Sequence, residues 1–221
     1  MIRRESSANR NVMKVIIADD HAIVRRGLIQ ILAEEYHDLL AREAENANEV
    51  FKLLGENDWD IIILDISMPG KSGLEILKEV RHEHPKVPIL VLTSHPEEQY
   101  AIRVLKAGAA GYMTKESAPE HLVEVIRKIT RGGKYISPTL AELLADSIGR
   151  NLEKEPHESL SDREYQVLCL IASGKTVGEI AAELSLSVKT ISTYRARILE
   201  KMMFKTNAEL THYALRNNLL D

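Results

Sequence analysis

The sequence predicts two units in series: an α/β domain on a five-stranded parallel sheet, then a small all-α domain of four helices. Three observations carry this. Short apolar runs without alternation recur through the first half, each ending in a polar residue, as suits strands covered on both faces. Each run is followed by a helical pattern, and five strand-then-helix units within about 120 residues imply a parallel sheet with helices on both sides and right-handed connections. The last stretch, from residue 159, instead shows capped helical segments joined by short turns. A chain of 221 residues is long enough for two such domains.

Composition narrows the class further. With 44% hydrophobic and 28% charged residues, the chain has the make-up of an ordinary globular protein rather than a disordered one. Cys169 is the only cysteine, which rules out an intrachain disulfide and favours a cytoplasmic setting. No apolar run approaches the roughly 20 residues that a membrane span needs, so no membrane role is expected. Residues 1–12 are polar, carry Arg3, Arg4 and Arg10, and have no apolar centre. They read as a disordered leader rather than a secretory signal, with Met13 able to start the folded part. The formal charge is −4 for the whole chain, −4 over 13–137, −3 over 138–158 and +1 over 159–221. Within 189–205 stand Lys189, Arg195, Arg197, Lys201 and Lys205 against the single anion Glu200, a local basic patch in an otherwise acidic protein.

The elements follow in order. Val15-Ile16-Ile17-Ala18 is a β-branched run ending at Asp19-Asp20-His21, and a helix with apolar positions Ile23, Leu28, Ile31 and Leu32 comes next. Asp38–Glu45 gives a weaker strand and Ala47–Leu54 a helix. Ile61-Ile62-Ile63-Leu64 runs straight into Asp65, and Ser67-Met68-Pro69-Gly70 cannot prolong it; a helix over Gly73–His84 puts Leu74, Leu77 and Val80 on one face. Ile89–Thr93 is the fourth strand, followed by a helix over Gln99–Ala107. Gly111-Tyr112-Met113 leads to Lys115, and Ser117 and Pro119 suit the start of a helix over Glu120–Arg131.

Asp19, Asp20, Asp65, Thr93 and Lys115 each fall at the carboxyl end of a predicted strand. In a parallel sheet those ends share one edge, where ligands of open α/β sheets bind. Three converging carboxylates repel one another, and magnesium, which prefers oxygen ligands, relieves that repulsion. With the metal in place Asp65 can attack a phosphoryl donor and form an acyl phosphate. Lys115 would neutralise the transferred oxygens and the Thr93 hydroxyl could donate to one of them.

Asp19-Asp20, Asp65, Thr93, Tyr112 and Lys115, with the Tyr-x-x-Lys spacing, resemble the receiver domain of two-component response regulators over about Met13 to Gly133. The resemblance implies a flavodoxin-like fold of strand order 2-1-3-4-5 that takes phosphate from a sensor histidine kinase onto Asp65. It implies Mg2+ held by Asp19, Asp20, Asp65 and the Ser67 backbone carbonyl, and a switch made by Thr93 and Tyr112. Two positions beyond Asp65 and Thr93 stand Ser67 and His95, which in this family flank the water that hydrolyses the acyl phosphate. They are expected to tune its lifetime. Glu116 stands after Lys115 where many receivers carry proline.

Residues 134–158 read as a helical and flexible linker. Ser137-Pro138 stops the receiver, Leu140, Leu143, Leu144 and Ile148 give a short amphipathic helix, and Arg150–Ser159 is a polar tether. Leu160-Ser161-Asp162-Arg163-Glu164 then opens a helix with a capping box. Thr176 caps a second helix over Val177–Leu184, and Ser187 a third over Val188–Met202, with Ile191, Ile198 and Met202 inward. Asn207–Asn217 is the fourth. Helix, short turn and helix over 177–201 form a helix-turn-helix candidate whose second helix would enter the major groove.

Residues 159–221 resemble the LuxR-type helix-turn-helix domain through Leu160-Ser-Asp-Arg-Glu164, Val167-Leu168, Ala172-x-Gly174, Glu179-Ile180-Ala181 and Leu186-Ser-x-x-Lys189-Thr190-Ile191. A receiver before this domain is the arrangement of the NarL/FixJ class. The resemblance implies a homodimer on activation that reads double-stranded DNA at paired half-sites. Lys189, Ser192, Thr193 and Ala196 match the base-facing positions, and Thr176, Tyr194, Arg195 and Lys201 are phosphate-contact candidates. Met202-Met203-Phe204 stands where the family usually has Leu-Gly-Val, so the turn before the last helix departs from the pattern.

The chain thus reads as a cytoplasmic, phosphorylation-dependent transcription regulator and not a turnover enzyme. A phosphohydrolase with an aspartyl-phosphate intermediate needs a second Asp two residues after the nucleophile, where Ser67 stands. A nucleotide-binding reading lacks a Gly-rich phosphate loop after the first strand. A protein-binding adaptor is disfavoured by the local positive charge of the third helix.

Overall fold

The computed structural model describes residues 12–149, 155–217 and 219–220. Residues 1–11 of the expected leader (1–12), residues 150–154 of the expected tether and the side chain of Ile148 lie outside the described set.

Five strands, β1 (Met13–Ala18), β2 (Leu39–Ala44), β3 (Ile61–Leu64), β4 (Ile89–Thr93) and β5 (Gly111–Thr114), form one all-parallel sheet in the order β2-β1-β3-β4-β5. The uninterrupted apolar runs are explained by cover on both faces. Ile61 and Ile63 pack with α1 (Ala22–Glu35) and α5 (Ala118–Thr130), through Leu28, Leu32, Leu122 and Ile126. Ile62 and Leu64 face the opposite layer of α2 (Ala47–Leu54), α3 (Gly73–Glu83) and α4 (Glu97–Lys106), through Val50, Leu74, Leu77, Ala101 and Val104. Local chemistry sets the helix starts: Asn46 caps α2, and Ser72 with Glu75 makes a capping box on α3.

Two local expectations change. Ile23, one of the four apolar positions of the first helix, is 82% exposed, and α1 buries Arg25, Leu28 and Leu32. Ser117 precedes α5 but its side chain does not cap it; its hydroxyl donates back to the Thr114 carbonyl (2.9 Å).

Beyond the sheet, α6 (Pro138–Gly149) buries Leu140, whose N–H is capped by Ser137 Oγ (3.0 Å). Pro156–Ser159 forms one 3-10 turn, and four helices follow: α7 (Asp162–Ala172), α8 (Val177–Glu183), α9 (Val188–Lys201) and α10 (Asn207–Arg216). The expected caps Ser161, Thr176 and Ser187 all accept from the backbone N–H three residues on. The departure at Met203 is accommodated by a left-handed backbone, φ +59°, with the side chain 90% exposed. Helix α7 is buried along its whole length, because α9 and α10 cover one side and the receiver's α3–α4 surface covers the other. Its apolar residues belong to the same core as α2–α4.

Candidate functional site

The sheet register places the acidic side chains together. Ala18 pairs with Leu64, so Asp19 and Asp65 leave adjacent strand ends, and the Asp65 N–H donates to the Ala18 carbonyl (2.8 Å). Thr93 pairs with Thr114, so Lys115 emerges beside them, its N–H bonded to the Thr93 carbonyl (2.8 Å). Lys115 Nζ then bridges Asp65 Oδ2 (2.8 Å) and Asp19 Oδ2 (2.7 Å). Burial disfavours the ammonium, but the Asp65 and Asp19 carboxylates outweigh it and raise the Lys115 pKa above its ordinary value. Asp19 and Asp65 are nearly inaccessible, while Asp20 is exposed.

Ligand atoms of Asp19, Asp20, His21 and Asp65 lie within 4.8 Å of one another. The three carboxylates offer hard oxygen donors, one pair buried and one group open to solvent, which fits a divalent cation that keeps several waters. His21 is drawn in as well: its N–H donates to Asp19 Oδ1 (2.8 Å) and its Nδ1 lies 2.8 Å from Asp20 Oδ1.

Ser67, Thr93, His95 and Tyr112 meet at one point beside the carboxylates. The Ser67 N–H donates to Asp65 Oδ1 (3.2 Å), and Ser67 Oγ shares a hydrogen bond with His95 Nε2 (2.9 Å). The His95 N–H donates to Thr93 Oγ1 (3.4 Å), and the His95 carbonyl accepts from the Tyr112 hydroxyl (2.7 Å). Tyr112 is wholly buried, so its ring already sits inward.

On α9 the expected base-facing residues form one exposed stripe. Lys189, Ser192, Thr193 and Ala196 are spaced i, i+3, i+4 and i+7, opposite the buried Ile191 and Ile198. The Ser192 and Thr193 hydroxyls donate to the Val188 and Lys189 carbonyls of their own helix (2.9 Å each). The phosphate-contact candidates are more occupied. Arg195 Nε donates to Asn207 Oδ1 (2.6 Å), Lys201 Nζ pairs with Glu164 of α7 (2.6 Å), and Thr176 caps α8. Tyr194 is half-buried against the core.

Sequence reasoning missed the contacts between the two halves. Tyr165 of α7 donates its hydroxyl to the Gln99 carbonyl (2.7 Å), meets the Tyr100 ring edge-on at 5.3 Å, and lies under the Arg103 guanidinium at 4.4 Å. Arg103 also donates to the Leu160 and His157 carbonyls (2.9 Å each). Lys78 pairs with Asp162 (2.5 Å), and Arg163 donates to the carbonyl of Gly70, in the loop after Asp65. The Tyr100 ring in turn packs on His95 at 4.9 Å. Nothing in the spacing of these residues distinguished them from ordinary surface charges.

An acidic strand-end cluster with an invading lysine, joined to a helix-turn-helix with an exposed polar stripe, is the architecture of a response regulator. The response regulator receiver domain matches residues 15–127 and the luxR family of bacterial regulatory proteins matches 158–214. This chain belongs to the response regulators, with a receiver domain followed by a DNA-binding domain of the LuxR type. It is similar to the response regulator GacA of Pseudomonas aeruginosa, 36% identical over 211 residues, covering 95% of this chain and 99% of that one. It is equally similar, at 36%, to UvrY of Escherichia coli over 209 residues (94% of this chain, 96% of that one) and to NreC, an oxygen regulatory protein of Staphylococcus carnosus, over 216 (95% and 100%). Among solved structures, the RcsB response regulator of Salmonella typhimurium superposes with a TM-score of 0.66 at 29% identity, covering 94% of this chain and 98% of that chain. A complex of RcsB with DNA gives 0.58 at 31% identity, covering 93% and 98%. Among the described residues no helix is long and apolar enough to cross a membrane.

Proposed function

We propose that this protein is a cytoplasmic transcription regulator that accepts a phosphoryl group on Asp65 from a sensor histidine kinase and thereby controls pairing and DNA binding of its C-terminal domain. The observation that carries the reading is the convergence of Asp19, Asp20, Asp65 and Lys115, from three separate strand ends, in one cluster at the sheet edge. In this reading residues 13–133 are the receiver, 134–158 the linker and 159–221 the DNA-binding domain.

Asp19, Asp20 and Asp65, with the Ser67 carbonyl, would hold magnesium, which when bound supplies charge neutralisation for the incoming phosphoryl group. A carboxylate oxygen of Asp65 forms the new O–P bond as the P–N bond to the donor histidine breaks. Lys115 lies within reach of the transferred oxygens, and Thr93 turns its hydroxyl from the His95 N–H toward them. Because the His95 backbone also carries the Tyr112 bond and its ring packs on Tyr100, movement of Thr93 passes to the surface on which Tyr165 docks. The Ser67–His95 bond stands beside Asp65, and these two side chains set how fast water reaches the acyl phosphate. Lys189, Ser192, Thr193 and Ala196 are assigned to base edges, with Ala196 reading an apolar feature such as a thymine methyl. Tyr194 and Thr176 contact phosphates, and Arg195 and Lys201 do so once they leave their present partners. Dimeric binding at paired half-sites is supported by the similarity to RcsB, of which a structure has two dimers bound to two parallel DNAs.

Acetyl phosphate with magnesium is the direct test. Wild-type protein should gain one phosphoryl group and bind duplex DNA more tightly, with salt-sensitive affinity. Asp65→Ala should gain none, and His95→Ala should change the lifetime of the phosphorylated form. Phosphate at another residue would overturn the Asp65 assignment, and an unchanged lifetime would remove the role of His95.

A further inference from the structure

Among the described residues, Arg25 is the one buried cation of the receiver that the proposed reaction does not use. It lies in the first turns of α1, at a spacing (25, 28, 32) that puts it in line with the core residues Leu28 and Leu32. Its guanidinium is forked among three oxygens: Nη1 donates to the Asp19 backbone carbonyl (2.8 Å), Nε to Glu43 (2.7 Å) and Nη2 to Glu45 (2.5 Å). Burial disfavours its charge, but the bonds to Glu43 and Glu45 outweigh that and hold its pKa above the ordinary arginine value.

The partners show what is being held. The Asp19 N–H is bonded to the Ala44 carbonyl (3.1 Å), so with Arg25 on its carbonyl both flanking peptides are tied toward β2. The far anchor is rigid too. The Glu45 N–H donates to Glu49 Oε2 (2.8 Å), and Asn46 caps α2 through the Glu49 N–H (3.2 Å). We infer that Arg25 is a positioning residue for magnesium: it clamps the β1–α1 loop to the β2–α2 loop and so fixes the carboxylates of Asp19 and Asp20 for the cation.

The sign of the effect separates this from simple electrostatics. Arg25 places positive charge beneath a cation site, so through charge alone its removal would tighten magnesium binding. As a clamp, its removal loosens the ligands and weakens binding, by about ten-fold on the scale of outer-shell partners at metal sites. Lysine keeps the charge but has no fork for three planar partners, so it should not restore the clamp.

The inference rests on the functional reading above, and one calorimetric series separates them. Magnesium chloride is titrated into full-length wild type, Arg25→Lys, Arg25→Gln and the double variant Glu43→Gln/Glu45→Gln, with thermal melts run in parallel. The expected result is a magnesium dissociation constant raised about ten-fold in both Arg25 variants, less in the double variant, and uptake from acetyl phosphate regained at saturating magnesium. Unchanged or tighter binding in Arg25→Gln, or full retention in Arg25→Lys, overturns the clamp. If Arg25→Gln does not fold, the double variant, which leaves Arg25 and the Asp19 bond in place, decides: wild-type affinity there overturns it. A wild-type protein that takes up no magnesium overturns the functional reading itself, and the clamp with it.

Discussion

The acidic edge of the sheet and the outer face of α9 are both lined with polar side chains, yet they are built in opposite ways. At the sheet edge Asp19 and Asp65 are buried and bonded to groups that arrive from other strands, such as Lys115 from the end of β5. On α9, Lys189, Ser192, Thr193 and Ala196 are exposed, and the two hydroxyls bond only to their own helix. The first arrangement is preorganised, as chemistry on a small group requires. The second leaves the Lys189 ammonium and the oxygen lone pairs of the two hydroxyls facing solvent. Between them lies α7, wholly covered, with Arg163 bonded to the loop after Asp65 and Tyr165 to the first turn of α4. On the proposed function, a change at the sheet edge would reach α9 through docking of the domain that carries it, since the outer face of α9 is exposed in the docked structure.

The largest expected contrast is between two glycines. At Gly73 a Cβ would overlap the Asp65 carbonyl and come within 2.7 Å of Ile66 Cα, so Gly73→Ala should destabilise the protein by about 3 kcal/mol and displace Asp65. At Gly178, in α8, a Cβ meets only Thr176 Oγ1 at 4.0 Å, and Gly178→Ala should be neutral or stabilise by about 0.5 kcal/mol. Denaturant unfolding measures both, and equal effects would break the comparison.

A smaller effect is expected at the join. Tyr165→Phe removes the hydroxyl that donates to the Gln99 carbonyl, at a cost of about 1 kcal/mol to docking. Amide exchange over α4 and α7 should speed up several-fold. Protection that stays at the wild-type level would show that the halves are held elsewhere. The smallest change is at the turn before α10. Met203 holds a left-handed backbone and is almost fully exposed, so Met203→Gly should raise stability by about 0.5 kcal/mol, the relief of strain less the added chain entropy. A fall in stability would mean that the methionine side chain contributes packing that outweighs the strain.

Much of this was legible in the sequence because it is local. The order of the elements followed from β-branched runs such as Ile61–Leu64 and from caps at Ser161, Thr176 and Ser187, each an interaction over three residues. The convergence of Asp19, Asp65 and Lys115 was legible too, since a parallel sheet puts all strand ends on one edge. Other features depend on which faces meet after the chain has closed. A cation at residue 25 reads as solvated until Glu43 and Glu45, some twenty positions on, surround it. Arg195 and Lys201 read as free cations until Asn207 and Glu164 take them. The sequence by itself determined the two domains and the line of strand-end residues, because propensity, capping and periodicity act over a few positions. The burial of α7, the seat of Tyr165 under Arg103 and the clamp at Asp19 were decided by the tertiary structure alone, since each needs a partner that only packing brings within hydrogen-bond range.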